Sequence, residues 1–297
     1  MPDTPIIPET ITVHLGAPGT PAQNVTLPFL DYITNVASSE IYPTWPENAI
    51  RANMYAQISF ALNRIYTQYY RSRGYDFDIT NSTATDQAFV KDREIFENIG
   101  YIVDEIFNDY LVRQGSVEPL FATFCNGTTS TCQGLSQWGT VNLANSGLTP
   151  FSILQNFYGQ DIGIVNDAPV GFTTESYPGV PLRLGDAGNN VQIIQTQLNR
   201  IAQNYPAISK IPAVDGIFGV RTENAVRKFQ EIFNLTPDGI VGKATWYALV
   251  RLYVAVTRLA ELRSQGQRFY SISWEYPNSP REGNTGEKVR HLQYMLA

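Results

Sequence analysis

The sequence contains few of the residues on which several classes of protein depend. Its 297 residues include only two histidines, His14 and His291, and two cysteines, and they show no Cys-His, Ser-His or His-metal set for a peptide hydrolase. No apolar run approaches the roughly eighteen residues that a membrane-spanning helix needs. The net charge of −6 argues against nucleic acid or an anionic membrane as a partner, because both favour basic patches. The first eight residues have neither a basic region nor an apolar core, so no secretory signal is predicted.

The length and composition predict a folded chain of about two domains. At 43% hydrophobic and 16% charged residues, the chain has enough apolar surface to bury a core and no sign of extended disorder. We expect an α+β fold, with a mixed α/β domain followed by a small all-α module.

A long amphipathic helix is predicted from about residue 46 to residue 71. Apolar residues recur at steps of three and four, which is the period of one buried helical face: Ile50, Met54, Ile58, Ala61, Leu62, Ile65, Tyr66 and Tyr69. Thr44 and Glu47 have the spacing of a capping box, and Pro46 lies where its missing N–H costs nothing. Glu47 therefore has a sufficient structural role at the start of this helix.

Glu40 is a lone carboxylate with no such role. Its neighbours Val36, Ile41, Tyr42 and Trp45 would shield it from water, which raises the pKa of a carboxyl group and suits it to proton transfer near neutral pH. The alternative is an ordinary carboxylate at the end of a strand, facing water.

The stretch from Leu30 to Ala61 resembles the signature of the stage II sporulation protein D family. The matching segments are Leu30-Asp-Tyr-Ile33, Val36-Ala-Ser-Ser-Glu-Ile41 and Trp45-Pro-Glu-Asn-Ala-Ile-Arg-Ala52. Members of that family are peptidoglycan lytic transglycosylases or regulators of wall hydrolases. The resemblance implies that Glu40 is the catalytic residue.

Further landmarks extend this resemblance to residues 9–165. After a strand at 76–80, Asp78, Thr80 and Gln87 loosely match a polar group that faces the cleft in the family, although they could be ordinary polar residues at a strand end. A second helix is predicted from Ile95 to Val112. Two loop segments follow in the order of the family, Cys125-Asn-Gly-Thr-Thr129 and Gly134-Leu-Ser-Gln-Trp-Gly139, and then a closing helix that ends near Gly159.

The resemblance also implies roles for residues around Glu40. Gln87, Ser136 and Gln137 would position sugar hydroxyls and acetamido groups, and Tyr42, Trp45 and Trp138 would stack on sugar rings. Packing in the core is the alternative for each aromatic residue. Many members have a histidine just before the Gly-Met-Ser-Gln element, and this chain has none there, so any mechanism that needs that histidine is in doubt.

Cys125 and Cys132 leave three interpretations open. A disulfide across this short loop, two free thiols and half of a structural zinc site are all compatible with six intervening residues. Zinc would need carboxylate or water ligands as well, because no histidine lies nearby. No other cofactor is expected.

The second half of the chain has the pattern of a compact helical module. Residues 166–181 are rich in Pro and Gly and predict a linker, and residues 182–262 predict three helices separated by two Asp-Gly-x-x-Gly turns, at Asp215 and Asp238. This segment resembles the type 1 peptidoglycan-binding domain. We interpret the Asp-Gly turns as helix starts, not as metal loops. Residues 281–296 repeat the pattern of 183–198, so 263–297 is interpreted as a linker and an incomplete second repeat.

Together these features predict a lytic transglycosylase that acts in the cell wall or spore envelope. Its partners would be peptidoglycan glycan strands and, if it works with other wall enzymes, an amidase. The alternative is a non-catalytic wall protein that binds peptidoglycan, activates an amidase or builds an assembly.

Overall fold

The computed structural model describes residues 5–171 and 176–262. The predicted second repeat therefore lies outside the described residues. The strands are β1 (Ile7–Pro8), β2 (Thr10–His14), β3 (Asn24–Pro28), β4 (Ile79–Thr80), β5 (Tyr110–Arg113), β6 (Phe124–Cys125), β7 (Leu135–Ser136), β8 (Ile162–Val165) and β9 (Val170–Gly171). The helices are α1 (Phe29–Glu40), α2 (Glu47–Tyr66), α3 (Glu97–Ile106), α4 (Gln137–Asn145), α5 (Pro150–Tyr158), α6 (Asn189–Ala202), α7 (Val220–Ile232) and α8 (Lys243–Thr257). This is the expected α+β composition with a helical region near its end.

The first unit is built around α2, which other elements surround. One three-stranded sheet has the strand order β3-β2-β4. Three two-stranded sheets pair β1 with β9, β5 with β8, and β6 with β7. The predicted apolar face of α2 is buried, but polar residues on its other sides are buried as well. Asn53 bonds to Thr140, Ser59 accepts from the N–H of Leu111, and Asn63 donates to the carbonyl of Pro119. These bonds fix the segments that pack on α2, although Oδ1 of Asn63 and the side-chain amide of Gln57 are buried without a hydrogen-bond partner among the described residues.

The segment before α2 is a helix, whereas the sequence suggested a strand end. Helix α1 ends at Glu40, and Asp31 lies in its first turn, not at a strand start. The predicted capping box is also wrong. Pro46 is the N-cap of α2 and Glu47 its first residue, too early to bond back to the cap, and no side chain caps this end. Glu47 instead forms an ion pair with Arg51, one turn later.

The second predicted helix is shorter than expected. Helix α3 ends at Ile106, and the N–H of Asp109 bonds back to the carbonyl of Ile106, which turns the chain into β5. Tyr110 to Val112 then pair with β8 in place of continuing the helix. Their β-branched and aromatic side chains suit a strand, and the period of the apolar residues did not distinguish the two structures.

The second unit contains the three expected helices, α6, α7 and α8, around one apolar core. The Asp-Gly-x-x-Gly turns start α7 and α8 as expected, because the last glycine of each turn, Gly219 or Gly242, is the N-cap of the helix. A buried glutamine also holds each turn in place. Gln195 donates to the Asp215 carboxylate and to Ile217 O, and accepts from the N–H of Gly216. Gln230 makes the same bonds around Gly239: to the Asp238 carboxylate, the carbonyl of Ile240 and the N–H of Gly239.

The two units are joined by direct contacts. Asn63 donates to the carbonyl of Leu259 at 2.7 Å, and Arg113 donates to the carbonyl of Leu262 at 3.0 Å. Tyr66, at the end of α2, packs into the core of the helical unit. The segment predicted as a linker begins with residues of the first unit, since β9 pairs in parallel with β1. No helix within residues 5–171 or 176–262 is long and apolar enough to cross a membrane.

Candidate functional site

Glu40 lies where three segments of the first unit meet. It is the last residue of α1, and Ile41 continues in an extended conformation. One carboxylate oxygen, Oε1, accepts from the backbone N–H of Ala88 at 2.8 Å. The other, Oε2, accepts from the side-chain amide of Gln137, the first residue of α4, also at 2.8 Å. The carboxylate is therefore held at both oxygens by donors from distant parts of the chain.

Burial and hydrogen bonding act on this carboxyl group in opposite directions. Burial raises the pKa of Glu40 above its usual range, while the bonds from Ala88 and Gln137 act to lower that pKa, with burial the larger effect. A raised pKa keeps part of the population protonated nearer to neutral pH. Each oxygen also keeps acceptor capacity beyond its one bond. Such a group can give a proton and take one back.

Three aromatic side chains lie together beside Glu40. The ring centroids of Tyr42 and Trp45 are 5.6 Å apart, those of Trp45 and Trp138 are 4.9 Å apart, and those of Tyr42 and Trp138 are 5.9 Å apart. We call these residues the aromatic trio. Tyr42 is 56% exposed and Trp138 is 36% exposed, whereas Trp45 is partly buried and packs against the core. The rings of the trio pack on one another and still present surface to solvent.

Gln87 does not line the site, contrary to the prediction. Its side chain is fully buried, accepts from the hydroxyl of Tyr32 at 2.9 Å and donates to the carbonyl of Gln57 at 3.0 Å. It directly precedes Ala88 and anchors the segment that carries the N–H of that residue. Asp78 and Thr80 are also engaged elsewhere, with Arg71 and Asp86 respectively.

Ser136 is used as a helix cap. Its Oγ accepts from the N–H of Gly139 at 3.0 Å at the start of α4. The backbone of Gly127 passes so close that a Cβ there would lie 1.9 Å from that Oγ, and Gly127 has a positive φ of 86°. Only glycine fits both conditions. The N–H of Trp138 also donates to the carbonyl of Asn126. The loop 125–132 is therefore docked on the helix end that presents Gln137 and Trp138.

A disulfide between Cys125 and Cys132 closes this loop. Because the two sulfurs are bonded to each other, they are not thiolates that could bind zinc, and this structure favours the disulfide among the three interpretations. Within residues 5–171 and 176–262, no group of three or more His, Cys, Asp or Glu side chains is placed to hold a metal ion.

The other carboxylates that the sequence offered lie away from Glu40. Asp31 precedes Glu40 by nine residues on the same helix, which places it on the opposite side and about 13 Å along the axis. Glu47 is exposed and paired with Arg51. The carboxylate of Asp86 is buried and receives bonds from Arg64, Tyr70 and Thr80. Among these carboxylates, Glu40 is the one that accepts from the N–H of Ala88 and from the amide of Gln137.

Sequence reasoning missed the backbone N–H of Ala88, since a main-chain donor leaves no trace in the side chains. It also missed Asn35, which lies on α1 one turn before Glu40 and bonds to the same segment. The sequence offered one signal for Asn35, namely that it is a polar residue inside an otherwise largely apolar stretch.

The helical unit contains the match to a known protein family. Residues 187–249 match the model of the peptidoglycan binding domain family. An uncharacterized protein from the bpoA1 3' region of Kitasatospora aureofaciens is 43% identical over 65 residues, which is 22% of this chain and 50% of the relative. The zinc D-Ala-D-Ala carboxypeptidase of Streptomyces albus G is 38% identical over 68 residues, 23% of this chain and 25% of the enzyme. The chain thus spans half of one curated relative and a quarter of the other.

Two solved structures resemble part of the chain. The N-terminal domain of SleB is 31% identical, with 26% of this chain and 97% of that domain covered and a TM-score of 0.23. A peptidoglycan-binding protein from Clostridioides difficile, solved with glutamine hydroxamate, is 32% identical over 31% of this chain and 51% of its own, also with a TM-score of 0.23. Residues 187–249 are thus a peptidoglycan-binding domain by their family match, which supports association of this chain with the cell wall.

Proposed function

We propose, from the premise that residues 187–249 bind peptidoglycan, that the first unit is a lytic transglycosylase with Glu40 as its acid and base. The observation that carries the proposal is the half-buried carboxyl group of Glu40, whose pKa burial raises, held by Ala88 and Gln137 beside the aromatic trio. The resemblance of residues 9–165 to the stage II sporulation protein D family supports the same assignment.

The reaction needs one carboxyl group that acts twice. Protonated Glu40 gives its proton to the glycosidic oxygen between N-acetylmuramic acid and N-acetylglucosamine as the bond from that oxygen to the muramic C1 breaks. The resulting carboxylate then takes the proton from the muramic 6-hydroxyl, whose oxygen forms a new bond to C1. The product is a 1,6-anhydro end, and Glu40 is protonated again. Glycoside hydrolases use two carboxyl groups for the comparable steps, and here a single one is proposed to suffice.

The neighbours of Glu40 suit sugar recognition. The exposed faces of Tyr42 and Trp138 offer apolar surface on which a pyranose ring can stack. Gln137 was expected to contact a sugar, but it is only 3% exposed, so its proposed role is to hold the carboxylate of Glu40 with its amide. Ser136 contributes through its cap, which fixes the start of α4. No metal or cofactor takes part in the proposed steps.

The helical unit would keep the first unit on its substrate. Its direct contacts with the first unit, through Asn63 on α2 and Arg113 on β5, tether the wall-binding domain to the unit that carries Glu40. Peptidoglycan glycan strands are the proposed partner, the cell wall or spore envelope is the proposed place of action, and a wall amidase is the proposed second partner.

A second candidate is a wall protein without catalytic activity, one that binds peptidoglycan, activates an amidase or joins an assembly. The family match favours this candidate, because it covers residues 187–249 of the helical unit and does not include the residues around Glu40.

Digestion of purified peptidoglycan separates the two candidates. Intact and amidase-stripped walls are incubated with the wild-type protein and with Glu40→Gln, and products are read by mass spectrometry for anhydro-muramic ends. Anhydro products from the wild type alone support the proposal. No product from either protein, with both still sedimenting with the wall, favours the non-catalytic candidate. Product from both proteins means that Glu40 is not the acid.

A further inference from the structure

We propose that Asn35 is a positioning residue for Glu40: by clasping Val90 it holds the 87–90 segment so that the N–H of Ala88 reaches the carboxylate. This inference rests on the proposed function for its consequence in catalysis. Its structural part, the dependence of the Glu40 carboxylate on Asn35, can be measured without any enzymatic activity.

The clasp consists of two hydrogen bonds from a single side chain to a single residue. Nδ2 of Asn35 donates to the carbonyl of Val90 at 2.8 Å, and Oδ1 accepts from the N–H of Val90 at 3.0 Å. Asn35 is 6% exposed, so these bonds are shielded from water. The side chain thus binds the backbone in the way a neighbouring strand would, although no regular strand exists there. Asn is suited to this because its amide offers a donor and an acceptor side by side.

One helix holds the segment at three successive points. On α1, the hydroxyl of Tyr32 donates to the side chain of Gln87, Asn35 clasps Val90, and Glu40 accepts from the N–H of Ala88. Ala88 lies between the two anchored residues, so its N–H direction is fixed by bonds on both sides. The Tyr32 bond anchors one end of the segment and Asn35 the other. Without Asn35 both bonds at Val90 are lost, and that side of Ala88 is held only through Phe89, which stacks on Tyr32 and accepts from Asn81 at 3.4 Å. The N–H of Ala88 is then aimed less firmly at Glu40.

The other titratable groups near Glu40 do not replace this anchor. Tyr32 belongs to the same helix, and burial raises the pKa of its hydroxyl well above the usual range, so it stays neutral. Asp86 precedes the segment and is paired with Arg64 at 2.8 Å. From α4, the uncharged amide of Gln137 faces the carboxylate, and Tyr42 lies beyond in the aromatic trio.

The test compares Asn35→Ala with Ser39→Ala in the full chain. Ser39 is on the same helix, and its Oγ bonds only to the carbonyl of Asn35, within α1, so its removal leaves the 87–90 segment untouched. Proteins labelled with ¹³C at the glutamate side-chain carboxyl are titrated by NMR, and the Glu40 signal is assigned by its loss in Glu40→Gln. Because the N–H of Ala88 stabilises the ionised form, the pKa of Glu40 is expected to rise in Asn35→Ala and to stay at the wild-type value in Ser39→Ala.

Activity on peptidoglycan adds a second measurement. In Asn35→Ala we expect kcat to fall about tenfold with KM little changed, and the limb of the pH–rate profile that reports Glu40 to move to higher pH.

An unchanged Glu40 titration in a folded Asn35→Ala protein overturns the inference. If neither the wild type nor the variants cut peptidoglycan but the titration shifts, the proposed function fails and the positioning role stands. If Asn35→Ala does not fold, Asn35→Ser is titrated in its place; its single short hydroxyl cannot replace both amide bonds to Val90, so an unshifted pKa there also overturns the inference.

Discussion

Removal of Arg64 should destabilise the protein far more than removal of an arginine from an exposed ion pair. Nε of Arg64 lies 2.8 Å from a carboxylate oxygen of Asp86, and the two side chains are 6% and 0% exposed. The same guanidinium donates to the carbonyl of Thr85 and lies 3.9 Å from the ring centroid of Tyr69. In Arg64→Met the carboxylate stays buried without its counter-charge, which costs about 3–5 kcal/mol in comparable pairs. Bonds from Tyr70 and Thr80 remain on Asp86, so we expect the lower end, about 3 kcal/mol.

The assay is urea unfolding at neutral pH, with the free energy of unfolding compared between variants. Arg227→Met is the matched control, since Arg227 forms an exposed pair with Glu223 one turn earlier on α7 and should cost no more than about 1 kcal/mol. The double variant Arg64→Met with Asp86→Asn should recover part of the loss, because asparagine can still accept from Thr80 without a buried charge. A loss below about 1 kcal/mol in Arg64→Met would show that Asp86 does not need its partner, and the reasoning would fail.

Three further predictions concern the disulfide, the turns and the acid itself. Replacing both Cys125 and Cys132 by serine should lower the free energy of unfolding by about 2.5 kcal/mol, which is the loop-closure value for eight residues. Urea unfolding without reductant measures this loss, and wild-type protein reduced with a dithiol should lose the same amount. Gln195→Ala should cost about 2–3 kcal/mol, because its amide makes bonds to the turn at Gly216, whereas exposed Gln192→Ala should be neutral. Burial raises the pKa of Glu40, so its contribution to stability is present below its unfolded value near 4.5 and is lost as pH rises through the folded pKa. Glu40→Gln should therefore gain stability relative to wild type between pH 4 and pH 8, and a constant difference across that range would contradict the raised pKa.

Much of the helical unit was accessible from the sequence. The apolar steps at Val191, Ile194, Leu198 and Ile201 predicted α6, and all four residues are buried. The Asp-Gly-x-x-Gly turns were correctly predicted as the starts of α7 and α8, but the glutamines that hold them were not predicted. Gln195 and Gln230 hold them from the preceding helix, twenty and eight residues away from the aspartates. Because these two separations differ, no fixed spacing in the sequence predicts the contacts between the glutamines and the turns.

The first unit was harder to derive because its local signals conflict with its tertiary structure. Residues 30–40 carry β-branched and small residues, yet they form α1, which packs against α2 and α3. Burial in the core outweighs intrinsic propensity there. Glu40 stood out as a carboxylate without a structural partner, while Gln87 matched a motif and proved to be buried beneath the site. The motif located Gln137, which contacts Glu40, but it also included Asp78 and Thr80, which have other partners.

The position of Glu40 at a helix junction explains how one carboxyl group can be both protonated and poised. As the last residue of α1 it lies at the negative end of that helix dipole, which disfavours the carboxylate, as burial does. Gln137 reaches it from the first residue of α4, and Ala88 reaches it from an irregular segment. These donors favour the carboxylate, and both depend on distant supports: the cap at Ser136 for one and the clasp by Asn35 for the other. The balance between the protonated and ionised forms is therefore set by elements more than forty residues apart in sequence, and the change of any one of them should move that balance in a direction that its hydrogen bond dictates.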